Sequence, residues 1–322
     1  MRQNKGRPAL LLALILLFLF LVSAGGGTYL FHFALARKGP AHEESAVDAD
    51  ELAAESRTEG RSWMRSAPFE RLSIRAKDGA RLAGYYFTAP QSGGPPLRLA
   101  VLVHGYGTNA WLMADYARFY LDAGFDVFAP DNRAHGASEG NWIGMGRLDR
   151  DDLLRWLDLL IEKAGSGCEI VMHGISMGAS AIMMASSGLP PQVKCLIADC
   201  GYTSAGDEFA WQLEQMFGLP PFPLLYIASL ESKIIAGYGF AEASALKEIT
   251  KSRAPVFFIH GADDEFNPTS MALELYAAAS CEKELWIVPG AEHAMAYYVN
   301  PGEYIRRVLD FCGKYLRGAA IK

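Results

Sequence analysis

The sequence is poor in cysteine and shows no internal repeat or low-complexity block beyond residue 66. Its 322 residues include five cysteines, at positions 168, 195, 200, 281 and 312, and no two of them form a CxxC pair. A sparse and odd set of thiols argues against a disulfide scaffold, a structural zinc site and thioredoxin-type redox chemistry. The 32 glycines and 16 prolines follow no three-residue period, so a collagen-like chain is also excluded.

The sequence also lacks an excess of positive charge. Lys and Arg total 30 against 36 Asp and Glu, which gives a formal net charge of −6. Such a chain has no electrostatic reason to bind a polyphosphate, so we expect no nucleic-acid partner. A content of 51% hydrophobic and 20% charged residues predicts a folded chain rather than a disordered one.

A basic start followed by a long uncharged segment marks the N-terminus. Three basic residues lie within the first seven positions, an uncharged segment runs from Pro8 to Ala36, and Arg37 and Lys38 follow. Because about 20 apolar residues cross a bilayer, we predict that residues 1–38 are a membrane anchor and that the rest of the chain lies outside the cytoplasm. The alternative is a cleaved signal segment, for which Val22-Ser23-Ala24 would serve as the cleavage site and which would give a secreted protein. A buried helix of a soluble protein remains a third interpretation.

The rest of the chain divides into a short acidic segment and one large domain. Residues 39–66 contain no long apolar run and are predicted to be a polar linker, either a short helix or a tether, and residues 67–318 are predicted to form the domain. In the domain, short apolar runs alternate with amphipathic stretches, which predicts an α/β fold with a mostly parallel central sheet flanked by helices. The runs predicted as strands are Leu72–Ile74, Arg81–Phe87, Leu99–His104, Asp126–Pro130, Glu169–His173, Cys195–Asp199, Val256–His260 and Leu285–Val288.

The pattern GxSxG occurs twice, in different contexts. The copy around Ser138 has no adjoining strand and no helix after it, which indicates a loop. The copy Gly174–Gly178, centred on Ser176, directly follows an apolar run and opens a helix-like stretch. A nucleophile elbow requires this strand, turn and helix, so Ser176 is the candidate nucleophile, with a purely structural turn as the alternative.

A serine hydroxyl needs a base to remove its proton, and the base needs an orienting acid. His293 lies in a loop after the last predicted strand and follows the candidate acids in the chain, although a solvated loop histidine would look the same. Asp263, Asp264 and Glu265 follow the strand Val256–His260, and position alone allows each of them to be the acid. The histidines that end apolar strands, at positions 104, 173 and 260, are predicted to make structural hydrogen bonds.

Ester cleavage through a serine also needs two backbone N–H donors for the oxyanion. We expect one from Met177, the residue after the candidate nucleophile. The other is expected from the turn after the strand Leu99–His104, with Tyr106 as first choice and Gly107 as alternative. An ordinary strand-to-helix turn would have a similar sequence.

From about residue 68 to 317 the chain resembles an α/β-hydrolase of the serine esterase/lipase type. The matching motifs are the HGYG turn, the DNRAHGASEG loop, the GISMG elbow, the HGADDEFNP acid loop and the GAEH histidine loop. In similar proteins the acid lies four residues after the loop histidine and four before the proline, which here indicates Asp264. One departure is Ala134, which stands where the family loop usually has its first glycine.

The resemblance implies a serine hydrolase that cleaves carboxylic esters of small-molecule acyl substrates with Ser176, Asp264 and His293 and with no metal or organic cofactor. It also implies that the insertion at about residues 201–250 is a helical cap over the site. The layout with an N-terminal membrane segment resembles that of membrane-anchored bacterial hydrolases of this superfamily. The aromatic residues of that segment would either bind an acyl group or hold the helices together. A peptidase or thioesterase with the same triad, and a non-catalytic binding protein on this scaffold, are the alternatives. An epoxide hydrolase or dehalogenase would carry aspartate at the elbow, so the serine at position 176 argues against both classes.

Overall fold

A computed structural model describes residues 6–39, 51–90 and 97–317. Within these ranges eight strands form one sheet in the order β1-β2-β4-β3-β5-β6-β7-β8. The pairs β1/β2 and β2/β4 are antiparallel, and every other neighbouring pair is parallel. The strands are β1 Glu70–Arg75, β2 Arg81–Phe87, β3 Arg98–Val103, β4 Asp126–Pro130, β5 Glu169–Ile175, β6 Val193–Asp199, β7 Val256–Gly261 and β8 Lys283–Val288.

Helices precede the sheet, connect its strands and close the chain. Two of them, α1 and α2, lie before β1, and α6, α7 and α8 occupy the connection between β6 and β7. In chain order the helices are α1 Gly6–Leu35, α2 Glu51–Ser66, α3 Ala114–Asp122, α4 Arg147–Ala164, α5 Met177–Ala185, α6 Ala205–Phe217, α7 Leu224–Ile235, α8 Ala245–Ile249, α9 Thr269–Ala278, α10 Ala296–Val299 and α11 Pro301–Gly313.

The central strands are buried on both faces, as expected of a parallel sheet covered by crossover helices. Along β3, Val101 and Val103 belong to one apolar cluster, and Ala100 and Leu102 belong to the cluster on the other face. This alternation follows from the two-residue period of a strand. The sheet therefore lies between two apolar cores and contributes side chains to both. Packed helices flank its carboxyl edge on both faces.

The observed fold confirms the predicted mostly parallel α/β sheet flanked by helices. All eight predicted runs fall within observed strands or extend them by one residue, and β5 runs on to Ile175, beyond the predicted end at His173. The segment between β6 and β7 is largely helical, as the predicted insertion requires. The boundaries predicted for anchor, linker and domain stay predictions.

The N-terminal helix α1 has two parts with different surroundings. Its segment Leu10–Leu35 is long and apolar enough to cross a membrane, by length and composition. Every side chain from Leu10 to Val22 is exposed, whereas Phe31 and Leu35 are completely buried in the core of the domain. Helix α1 therefore has an exposed apolar segment from Leu10 to Val22, and its end is part of the packed body.

The end of α1 is joined to the loop that follows β4. The rings of Phe31 and Trp142 lie 4.7 Å apart, and the Ile143 N–H donates to the Leu35 carbonyl at 2.8 Å. The Arg37 guanidinium donates to the carbonyl oxygens of Ser138 and Gly136. These contacts combine apolar packing with backbone pairing, so this part of the N-terminal segment belongs structurally to the domain.

Helix α2 lies within the segment predicted as a linker and packs on the domain. Met64 is completely buried beside α3, and the Ser56 hydroxyl donates to Asp115 at 3.3 Å. The Arg57 guanidinium lies 4.8 Å from the centre of the Tyr298 ring. Residues 40–50, the other part of the predicted linker after Gly39, lie outside the described residues.

Replacing Phe31 by alanine should destabilise the whole domain, because the substitution leaves a cavity beside Trp142. Loss of a buried phenylalanine side chain costs about 3–5 kcal/mol. We expect a decrease of that size in the free energy of unfolding of the detergent-solubilised full chain, measured by chemical denaturation followed by tryptophan fluorescence.

The matched control is Phe33→Ala, in the same helix, because the Phe33 side chain is 42% exposed. This change should cost about 0.5 kcal/mol or less. Equal losses for the two variants would contradict the assignment of the end of α1 to the core.

Candidate active site

Ser176 occupies a sharp turn between β5 and α5. Its backbone dihedral angles are φ 55° and ψ −118°, in a region that residues with a side chain rarely adopt. Strain of this kind costs on the order of 1–3 kcal/mol and persists only where the surroundings impose it. The turn directs the serine out of the carboxyl edge of the sheet, as in a nucleophile elbow.

Two glycines allow the strand and helix around Ser176 to approach each other. A Cβ atom built on Gly174 would collide with the backbone of Gly178, and one built on Gly178 would collide with the Val103 carbonyl group at the end of β3. Gly105, just after β3, lies against the serine, since its added Cβ would be 3.4 Å from the Ser176 Cβ. The GxSxG spacing is thus a packing requirement of this turn.

His293 and Asp264 come to Ser176 from the loops after the last two strands. The His293 Nε2 lies 2.9 Å from the Ser176 Oγ, and the His293 Nδ1 lies 2.9 Å from the Asp264 Oδ2. Ser176 and Asp264 are buried, and the side chain of His293 is 23% exposed. The three side chains predicted from the sequence therefore form a continuous chain of hydrogen-bonding contacts.

The carboxylate of Asp264 is held in its charged form by its neighbours. Its Oδ1 accepts the N–H groups of Phe266 and Asn267, and its Oδ2 lies 3.3 Å from the Nε2 of His260. Burial alone would raise the pKa of Asp264, but the hydrogen bonds from His260 and His293 outweigh it and lower the pKa to about 2. Asp263 and Glu265, the other candidate acids, have exposed side chains.

His260 takes part in this cluster in a way that the sequence did not indicate. Its Nε2 also lies 2.8 Å from the Asn267 carbonyl oxygen, and although burial opposes the charged ring, the hydrogen bonds to Asp264 and Asn267 raise its pKa. The predicted structural hydrogen bond is thus made to the acid loop itself. The only signal for it was the position of His260 at the end of a strand.

The predicted oxyanion donors belong to residues adjacent to the serine turn: Met177 follows Ser176 in the chain, and Tyr106 follows Gly105, which lies against Ser176. The Gly107 N–H donates to the Nε2 of His135 at 3.0 Å, so this alternative donor is already engaged. Among the described residues, the N–H groups of Tyr106 and Met177 have no hydrogen-bond acceptor. The side chain of Tyr106 is fixed at its hydroxyl end, because the hydroxyl donates to the Ala34 carbonyl of α1 at 2.8 Å.

The second GxSxG copy is a loop, as predicted, in which Ser138 is buried. The Ser138 hydroxyl donates to the Asp131 carbonyl at 2.6 Å and accepts the Ala83 N–H at 2.9 Å, so its hydrogen-bonding capacity serves the loop. Ala134, which replaces the usual glycine of this loop, has φ 59° and adopts the left-handed conformation despite its side chain. The loop geometry that glycine would favour is therefore present with alanine.

A family model described as the alpha/beta hydrolase family matches residues 100–307. The chain belongs to the alpha/beta hydrolase family. The uncharacterized protein YqkD of Bacillus subtilis is 35% identical over 212 residues, which cover 66% of this chain and 70% of that protein. The non-heme chloroperoxidase CPO-A1 of Kitasatospora aureofaciens is 23% identical over 258 residues, 67% of this chain and 93% of that protein.

Solved structures agree on the fold. The esterase Pf2001 of Pyrococcus furiosus superposes with a TM-score of 0.64 at 23% sequence identity, covering 78% of this chain and 94% of that chain. A likeness at this identity establishes the architecture. Membership of the family supports hydrolase activity on a small molecule.

In this hydrolase, helix α6 of the insertion contacts the acid loop directly. The Trp211 indole donates to the Glu265 carbonyl at 2.9 Å, and the Gln212 amide donates to the Phe266 carbonyl at 2.9 Å. The ring of Phe266 in turn lies 4.8 Å from the ring of His293. The insertion thus positions the loop that carries the acid and packs beside the histidine.

Glu208, on the same helix, is a buried carboxyl group that sequence reasoning did not single out. Its Oε1 accepts from the Gln212 amide at 3.0 Å, and its Oε2 has no hydrogen-bond partner in the described part of the chain. Burial and, to a smaller extent, the charge of Asp264 raise the pKa of Glu208 to about 8. Glu208 is therefore largely protonated near neutral pH. A glutamate in the first turn of a helix gave no sequence signal of this burial.

One group of potential metal ligands lies in the site of the hydrolase. Ligand atoms of Cys200, Asp264 and His293 lie within 4.8 Å of one another. Burial raises the pKa of the Cys200 thiol well above its ordinary value, which disfavours the thiolate that a metal requires. The Asp264 carboxylate and the His293 imidazole form a hydrogen bond with each other, so these three side chains do not fit a metal centre well. The predicted absence of a cofactor stays a prediction.

The buried carboxyl of Glu208 should make stability depend on pH. The pKa of the group is about 8 in the folded chain and near 4.5 in the unfolded chain, so its cost appears as pH rises above 4.5 and is complete above 8. Glu208→Gln should remove this cost, on the order of a few kcal/mol. We expect the variant to gain in melting temperature over the parent as pH rises from 5 to 8.5.

Glu214→Gln, at an exposed position of the same helix, is the control and should show no such trend. A Glu208→Gln variant whose melting temperature differs from that of the parent by the same amount at both pH values would refute this account of the buried carboxyl.

Proposed function

We propose that this protein is a serine hydrolase that cleaves carboxylic esters through an acyl-enzyme intermediate. The observation that carries the proposal is the series of contacts from the Ser176 Oγ to the His293 Nε2 and from the His293 Nδ1 to the Asp264 Oδ2, each 2.9 Å long. A hydroxyl, an imidazole and a buried carboxylate in this order are the groups that acyl transfer to serine requires. The Pyrococcus furiosus protein of similar fold, an esterase, is consistent with this reaction class.

In the proposed first step, the Ser176 Oγ attacks the carbonyl carbon of the ester while the His293 Nε2 takes the hydroxyl proton. The charge that develops on the imidazole is stabilised by Asp264, whose low pKa keeps it ionised. The N–H groups of Tyr106 and Met177 would donate to the oxyanion. The tetrahedral intermediate collapses, the C–O bond to the alcohol breaks, and His293 returns the proton to the leaving alcohol.

In the second step, water attacks the acyl group on Ser176 and gives up a proton to the Nε2 of His293. Collapse of this intermediate releases the carboxylic acid and restores the serine hydroxyl with the proton from His293. A thioester or an amide would react by the same sequence, because only the leaving group differs. A panel of p-nitrophenyl esters, thioesters and peptide amides separates these substrate classes.

The triad assignment is tested by two substitutions in one assay. Ser176→Ala removes the nucleophile and should abolish labelling by a fluorophosphonate probe and lower kcat/KM for a p-nitrophenyl ester at least a thousandfold. Asp264→Asn leaves the size of the side chain unchanged but removes the charge that orients and stabilises His293, and should lower kcat by about three orders of magnitude or more.

The chain supplies a matched control for each change. Ser138→Ala alters the serine of the other GxSxG copy, and Asp263→Asn alters the neighbouring exposed aspartate. Both controls should keep the probe labelling and lose less than tenfold in kcat. Labelling that survives in Ser176→Ala would refute the nucleophile assignment.

We also propose that α1 anchors the enzyme in a membrane with its catalytic body outside the cytoplasm. The support is the exposed apolar segment Leu10–Val22, preceded by three basic residues and followed after Ala36 by two. A protease added to spheroplasts, which are enclosed by the cytoplasmic membrane alone, should then digest the body while a cytoplasmic marker stays whole. Digestion only after cell lysis would contradict this orientation.

A further inference from the structure

Helix α7 of the insertion carries apolar side chains on the face that is turned away from the body. They are Phe222 just before the helix and Tyr226, Leu230 and Ile234 within it, with exposed fractions of 70%, 66%, 63% and 75%. Residues four apart lie above one another on a helix, so these side chains form one continuous row. We call this row the cap stripe.

The opposite face of α7 is apolar as well. Leu225 and Ala228 are buried in the core of the domain, and Ser232 is buried with its hydroxyl donating to the Tyr238 carbonyl. A surface helix of a water-soluble protein normally has one apolar and one polar face. An exposed row of large apolar side chains is unusual on a monomeric soluble protein and marks a surface that contacts something apolar.

Helix α7 packs directly against α1, whose exposed segment is itself apolar. The apolar surroundings that suit α1 are therefore next to the cap stripe. A Cβ atom built on Gly27 would lie 2.5 Å from the Ile227 Cγ2, and one built on Gly26 would lie 2.9 Å from the Leu224 Cδ2. Small residues at a close helix crossing are typical of helices that pack within a membrane. The contact lies a few residues after the exposed segment Leu10–Val22.

The depth of the α1–α7 contact in a bilayer follows from the geometry of α1. From Leu10 to Gly26 the helix advances about 24 Å at a rise of about 1.5 Å per residue. The hydrocarbon core of a bilayer is about 30 Å thick. If the exposed segment begins near one boundary of the hydrocarbon, α7 meets α1 close to the other boundary, on the side of the catalytic body.

The charges around the stripe agree with such a location. None of the four stripe residues is ionisable at neutral pH, and Tyr226 is a residue type enriched where a bilayer meets water. Two charged residues lie between Leu230 and Ile234 in the chain: Lys233, which is paired with Glu242 at 2.7 Å, and Glu231, which is half-buried. The turn that leads into the stripe adds exposed Phe217 and Leu219.

We propose that the cap stripe is a membrane-contact surface, seated among the lipid acyl chains at the boundary of the bilayer that α1 is proposed to cross, and this inference rests on that proposed anchoring. The occupant is lipid rather than a second copy or another protein, because the stripe lies beside a helix whose own exposed residues already need an apolar solvent. Burying such side chains in the interface adds to the binding that α1 provides. The insertion, which contacts the acid loop through Trp211, is then held at the membrane surface.

The test uses the full chain reconstituted in phosphatidylcholine vesicles. Leu230→Cys and Ile234→Cys are each labelled with an NBD fluorophore, and a fraction of the lipid is replaced by doxyl-labelled phosphatidylcholine, which quenches the fluorophore on contact. We expect a blue-shifted NBD emission and at least twofold quenching at both positions. The unsubstituted chain, whose cysteines in the described ranges are buried except for the half-buried Cys281, gives the labelling background.

The control is Ser166→Cys, at an exposed position in the loop before β5, at the edge of the sheet opposite the site. Its label should be neither shifted nor quenched. Labels at 230 and 234 that are quenched no more than the label at 166 would overturn the proposal, and so would a blue shift without lipid quenching, which indicates a protein partner. NBD emission and quenching do not depend on catalysis. A negative result would therefore contradict the membrane contact of the cap stripe without bearing on the proposed ester hydrolysis.

Discussion

The close approach of α5 to the ends of β3 and β5 is the constraint on which the geometry of the site depends. No side chain fits at position 178 against the Val103 carbonyl, and none fits at position 174 against the start of the helix. Once these backbones are in contact, Ser176 has no alternative to its left-handed turn. The strain is maintained by the two cores that hold the sheet from both faces, and it leaves the hydroxyl beside the His293 ring.

Charge at the site is arranged around a single buried carboxylate. Asp264 stands between two imidazoles and also receives two backbone N–H groups, so its negative charge is compensated on every side. Nearby Glu208 has no such partners, and burial keeps its proton on instead. Two acidic groups in one neighbourhood thus have opposite protonation states because one is surrounded by donors and the other is not.

Much of the fold and the candidate triad could be predicted from the sequence because both depend on local patterns. Short apolar runs mark the strands, and the order of serine, acid and histidine is visible in loops that directly follow strands. The contact of His260 with Asp264 and the burial of Glu208 depend on neighbours brought together by folding, and no local pattern records them. The division of α1 is also hidden, because a side chain facing lipid and one facing a protein core have the same hydropathy. The packing of Phe31 against Trp142 and the burial of Leu35 separate the two parts.

The division of α1 bears on how the protein would survive proteolytic maturation. A cut after Ala24, the site predicted under the alternative of a cleaved signal segment, would remove the exposed segment Leu10–Val22 but spare Phe31, Ala34 and Leu35. The remaining part of α1 would still pack in the domain. Its Ala34 carbonyl would still accept the hydrogen bond from the Tyr106 hydroxyl. Such a cut would therefore separate the exposed apolar segment from a domain that keeps the packing of Phe31 and the hydrogen bond between Tyr106 and Ala34.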